Sequence, residues 1–91
     1  MNIEWDEVKR RINLRKHALD FADAEFVLCG EIVTVEDDRQ NYGEIRFITI
    51  GRLLGRVIVV IHTAVEDTVR IISMRKATNY ETRICFQQVG N

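Results

Sequence analysis

Ninety-one residues, 46% of them hydrophobic, make a single domain spanning 1–91, because a chain of this size buries only about 60 to 70% of its unfolded surface and has no room for a second core. The longest apolar run, Val57 to Ile61, is far short of the roughly 20 residues that cross a membrane, and MNIEWDEVKRR has no signal-peptide apolar region, so a soluble cytoplasmic protein is expected. The formal net charge of −1 excludes nothing by itself, while Cys29 and Cys85, without C-x-x-C spacing, argue against a zinc site or a disulfide framework.

Asp6 can cap a helix over residues 7–16, in which Trp5, Val8 and Ile12 fall at helical spacing. Lys9, Asn13, Lys16 and His17 then share one face, gathering two amines, an amide and an imidazole. A second short helix is expected after Asp20, with Phe21, Ala24 and Leu28 in one apolar line and Gly30 as its stop. Charge is segregated here: residues 9–17 carry five Lys or Arg and no acid, whereas residues 20–38 carry seven acids and no base. Basic blocks separated by an acidic one can build a cationic patch on a nearly neutral protein.

Residues 31–36, EIVTVE, read as a short strand, and EDDRQNYG as a polar loop. From Glu44 the pattern is β. EIRFITI alternates, RVIVVIHT is apolar on both faces, and TVRIISM alternates again, joined by the short links GRLLG and AVED. Three strands in an antiparallel meander are expected, with RVIVVIHT central. Thr78 and Glu81 have capping-box spacing, so a last helix should run from about Asn79 to Gln87, leaving Arg75 and Lys76 on the preceding turn. The fold class is α+β: two N-terminal helices, an antiparallel meander and a C-terminal helix.

Glu44 and Arg46 share one face of their strand, and Arg70 shares a face with Ile72 and Met74 of its own. If those faces match, one carboxylate and two guanidiniums converge; strand charges at a sheet margin are otherwise solvated or paired with each other. His62 ends an apolar strand and reads as a packed or hydrogen-bonded terminus. His17, beside Lys16 at a helix end, has no obvious apolar role, and an imidazole can serve as base or acid near neutral pH. This inventory suits RNA cleavage without a metal or other cofactor: a base for the 2′-hydroxyl, an acid for the leaving oxygen, and arginines for the crowded phosphorane. A module that binds RNA or a protein without cleaving anything would use the same arginines.

Three blocks carry a resemblance. IEWDEVKRRINLRKH, with Trp5, Asp6, Lys9, Asn13, Lys16 and His17, is similar to the N-terminal signature of the BrnT toxins, and YGEIRFITIG (42–51) and RIISMRKATNYE (70–81) continue the match. The chain departs from the family pattern at Ala18, where Gly is usual, and at Met74, where a small residue is usual. The resemblance implies a RelE-like fold, ribonuclease activity that arrests translation, and a ribbon-helix-helix antitoxin of the BrnA type. It also implies a heterotetramer that binds operator DNA through the antitoxin. The resemblance leaves the base open; the residues expected to form the site are His17 or Glu44 as base, Arg46, Arg70 and Arg75 on phosphate, and Lys9, Lys16 and Lys76 on RNA.

Overall fold

A computed structural model describes residues 1–89. In chain order these form β1 (Asn2–Trp5), α1 (Glu7–His17), a 3-10 turn (Phe21–Asp23), α2 (Ala24–Leu28), β2 (Val33–Glu36), β3 (Phe47–Leu53), β4 (Arg56–His62), β5 (Thr68–Lys76) and α3 (Asn79–Val89). The strands make one five-stranded sheet in the order β1-β5-β4-β3-β2. The expected meander is its centre: β3, β4 and β5 are antiparallel neighbours. The class is α+β, but a purely antiparallel sheet is corrected, because β1 precedes the first helix and runs parallel to β5, from Asn2 opposite Thr68 to Trp5 opposite Ile71. Four half-exposed residues are too few to display a strand period, and Trp5 belongs to this strand, not to the helical stripe.

Asp6 does cap α1, accepting the amides of Val8 and Lys9 at 2.9 and 3.1 Å. At the other end Ala18 takes the left-handed conformation, φ 57°, that glycine adopts without strain. Arg10 clasps the following turn: its guanidinium donates to both Asp20 oxygens, at 2.9 and 3.0 Å, and to Glu7 at 2.7 Å.

The sheet separates two apolar layers. Leu19, Phe21 and Val27 pack with Ile58, Val60, Ile71 and Met74 on one face. Ile50, Val59, Ile61 and Cys85 pack on the other, under α3. β4 is buried on both faces, as its unbroken apolar run requires. α2 reaches β3 because position 51 is glycine; a Cβ there would lie 2.8 Å from the Val27 side chain. The β3–β4 link is a two-residue turn, Leu54 and Gly55, with both φ angles positive, the form that suits the twist of a hairpin.

Among the strand boundaries that differ from expectation, two move site residues. β2 supplies partners only as far as Phe47, so β3 starts there and Glu44 and Arg46 lie on the loop before it. β5 runs on through Arg75, opposite Val59, and Lys76, opposite Ile58, so these two cations are in the strand and not on the turn. β5 also carries a bulge: Ser73 faces Ile61 and Ile71 faces His62, leaving Ile72 without a partner. The bulge resets the alternation. Ile71 and Met74, three apart, enter the same core, while Ile72 packs on the opposite face, so Arg70 shares a face with Ile72 but not with Met74.

Candidate functional site

The loop 37–46 is polar, as its composition indicates, and it is built around a buried acid. Asp37 accepts Nε and Nη2 of Arg39, both at 2.7 Å, and the Tyr42 hydroxyl at 3.1 Å. The Arg39 hydrogen bonds dominate in lowering its pKa to about 2. The Asp37 amide also donates to the Arg46 carbonyl at 2.7 Å, closing the loop on itself. Tyr42 then lies under the Arg46 guanidinium, 4.1 Å from ring centre to charge, and fixes its plane.

This arrangement delivers Glu44 to β5. Its Oε2 accepts Nε of Arg46 at 3.0 Å, and its Oε1 accepts Nη2 of Arg70. The expected convergence of one carboxylate and two guanidiniums is therefore present, made by a loop and a strand instead of two strands. Hydrogen bonding from Arg46, followed by the field and hydrogen bond of Arg70, holds the Glu44 pKa below its ordinary value. Glu44 and Arg70 line a concavity of about 480 Å³ together with Ile45, Phe47, Val65 and Glu4.

The helix-borne candidates gather in a second, smaller concavity of about 260 Å³, where Lys9, Asn13, Lys16 and His17 meet Ile72 and Ser73. The cause is the end of β1. Beyond Ile71 the edge of β5 has no strand beside it, and α1 lies there instead. Buried Asn13 takes the place of a strand partner: its Oδ1 accepts the Met74 amide at 3.1 Å and its Nδ2 donates to the Leu19 carbonyl at 3.1 Å. Arg70 lines the first concavity and Ile72 the second, on one face and two residues apart, a span of about 7 Å along a strand. Each concavity thus takes one lining residue from the same face of β5.

Arg75 is not brought into either cluster. Its two Nη atoms are held by the Glu81 oxygens at 2.7 and 2.9 Å. Lys76 is exposed and, through its pairing with Ile58, faces the other side of the sheet. His62 is packed, as expected, at the end of a hydroxyl chain, with Thr34 Oγ1 2.8 Å from Thr49 Oγ1 and Thr49 Oγ1 2.7 Å from Nε2. Its Nδ1 lies 3.0 Å from the Thr63 carbonyl, so that nitrogen carries the proton and Thr49 donates to Nε2; burial lowers its pKa. Sequence reasoning missed Glu81 as the partner of Arg75, although the capping-box glutamate was in view, and it missed Tyr42 and Asp37 inside a stretch read only as loop.

Fold and site together define a small α+β protein that gathers cations around one ionised carboxylate, beside a second cationic concavity on its first helix. No helix among the described residues is long and apolar enough to cross a membrane. Residues 5–81 match the family described as the ribonuclease toxin, BrnT, of type II toxin-antitoxin system, and the chain belongs to that family. No curated protein matches it. Membership makes the chain a ribonuclease toxin and implies an antitoxin as its partner.

Proposed function

We propose that the protein cleaves RNA without a metal, by attack of a 2′-hydroxyl on its own 3′-phosphate, and so arrests translation. The observation that carries this reading is the Glu44 carboxylate held between Arg46 and Arg70 at the mouth of a concavity. Glu44 accepts the 2′-hydroxyl proton as the 2′-oxygen bonds to phosphorus. The bond from phosphorus to the 5′-oxygen breaks, and that oxygen leaves with a proton, giving a 2′,3′-cyclic phosphate and a 5′-hydroxyl. Arg70 and Arg46 face the charge that grows on the phosphorane, where preorganised donors contribute most. His17, in the second concavity, supplies the proton to the leaving oxygen, and Lys9 and Lys16 hold the backbone beyond it. Arg75 acts at longer range, because its fork is already engaged by Glu81, and Lys76, on the other side of the sheet, adds only long-range attraction for RNA.

The antitoxin is of the ribbon-helix-helix, BrnA-like kind, with an acidic or amphipathic segment that covers the cations of α1 and β5. Two toxins on an antitoxin dimer form a heterotetramer that binds operator DNA through the antitoxin. In this reading the protein is a RelE-like ribonuclease working in the cytoplasm.

The test is incubation of purified protein with single-stranded RNA in EDTA. Cleavage to cyclic-phosphate ends, blocked by a 2′-deoxy nucleotide at the cut, is the expected result. Activity abolished by chelator and restored by Mg²⁺ contradicts the metal-free mechanism. Tight binding with no cleavage returns the protein to the non-catalytic class.

A further inference from the structure

We propose that the apolar side of the larger concavity receives an unpaired guanine base of the substrate RNA, read by Glu4. This rests on the ribonuclease reading and adds a specificity-determining residue to it. β1 pairs with β5 so that Glu4 lies directly opposite Arg70, which places a second carboxylate in the concavity that already holds Glu44. The two acids differ in state. Glu44 is bound by two guanidiniums, whereas Glu4 is exposed and, among the described residues, makes no ion pair or side-chain hydrogen bond.

The same concavity is also lined by apolar side chains, together with Thr63 and Thr68. Ile45 and Val65 are 62% and 66% exposed, and Phe47 and Ala64 line the same concavity. Unstacked bases of single-stranded RNA are commonly held against aromatic rings or arginine planes, and Phe47 and Arg70 are the residues of those kinds in this lining. The volume, about 480 Å³, lies within the roughly 300 to 1,000 Å³ usual for ligand pockets.

The identity of the base follows from the carboxylate. An ionised glutamate only accepts hydrogen bonds, through two oxygens side by side. Guanine alone presents two adjacent donors on its pairing edge, N1–H and the N2 amine. Adenine and cytosine set a ring-nitrogen lone pair beside their amine, and uracil flanks its one donor with carbonyls; each places an acceptor against Glu4. A site that satisfies one pattern rejects the others because a polar group is left unpaired. Arg70, beside Glu4, remains on the phosphate, so base and scissile bond are read from neighbouring positions of one strand pair.

The experiment uses the full chain and short 2′-O-methyl oligouridines, which cannot be cut, carrying a single guanine, inosine or adenine. Inosine keeps N1–H and lacks only the N2 amine. Wild type should bind the guanine oligonucleotide at least about tenfold more tightly than the inosine one, a discrimination expected of a good paired contact. Glu4→Gln and Glu4→Ala should bind both within about twofold of each other, with melting temperatures unchanged. Equal affinities in wild type, or a preference that survives both substitutions, overturns the proposal. Matched cleavable RNAs separate the two readings. Discrimination without cleavage keeps the guanine pocket and removes the ribonuclease reading, whereas cleavage with no base preference does the reverse. Guanosine monophosphate binding as tightly as the guanine oligonucleotide would make the occupant a free nucleotide and overturn its assignment to RNA.

Discussion

Arg75 and Glu81 meet fork to fork, at 2.7 and 2.9 Å, and the same carboxylate accepts the Thr78 amide at 2.8 Å. One glutamate therefore completes the capping box of α3 and ties that helix to the end of β5. Arg75→Ala should lower stability by about 1 to 3 kcal/mol, since it strips a partly buried carboxylate of its charged donor. Well below its melting temperature, its cleavage should fall about tenfold, against about 10²- to 10³-fold for Arg70→Ala. Single-turnover assays with melts alongside check this; equal losses for the two arginines would contradict it.

Acid should unfold the protein early. Glu81 is pulled from its ordinary 4.5 to about 2, chiefly by the Arg75 hydrogen bond, and Asp37 from 3.8 to about 2, chiefly by Arg39. Between the ordinary carboxyl range and about 2 the unfolded chain binds more protons than the folded one. Their contribution to stability is thus complete at neutral pH and is lost as pH falls from about 5 toward 2. Melting temperatures at pH 7, 5 and 3 should decline most steeply over the last interval, and Glu81→Gln should flatten that decline. A wild-type melting point independent of pH would contradict the ion-pair assignment.

Asn13 substitutes for a missing strand. Asn13→Ala leaves the Met74 amide and the Leu19 carbonyl without their partner, at a cost of about 2 to 3 kcal/mol. Because the same contact holds α1 against β5, RNA binding through Lys9 and Lys16 should weaken even where the variant remains folded. Calorimetry and anisotropy measure the two effects; a loss of stability with unchanged RNA affinity would separate Asn13 from the site.

Ala18 carries a methyl group at φ 57°. Ala18→Gly relieves that strain against a gain in unfolded-chain entropy and should stabilise by roughly 0.5 to 1 kcal/mol, with cleavage unchanged. Destabilisation on denaturant titration would show that the methyl packs usefully.

Elements with a long, strong period were legible in the sequence. α1 and its Asp6 cap, β4 and the Thr78–Glu81 box lie where their residues place them, because each depends on neighbours within one turn or one strand. The convergence of Glu44, Arg46 and Arg70 was also legible, though through the wrong geometry: alternation cannot reveal that β2 ends at Glu36 and releases residues 44–46 into a loop. β1 could not be read, since its four residues become a strand only when β5 is beside them. The bulge at Ile72 was equally hidden, and with it the fact that Arg70 and Met74 face opposite ways. Arg10 was legible only as one of the five cations of residues 9–17, whereas Asp20, ten residues on, makes it a clasp.

The central claim is that Glu44 is the base, and Glu44→Gln tests it most directly, with Arg11→Ala as the control because Arg11 is exposed and lies in neither concavity. The measurement is single-turnover cleavage of a defined RNA at saturating protein, together with RNA affinity. The expected result is a loss of about 10²- to 10⁴-fold in the chemical step, the scale of a general base. Affinity should be equal or slightly higher, because Arg46 and Arg70 are released from a neutralising carboxylate. Arg11→Ala should leave the chemical step within about twofold. Cleavage by Glu44→Gln within about tenfold of wild type, with activity lost instead in His17→Ala, would contradict the account and place the base on α1.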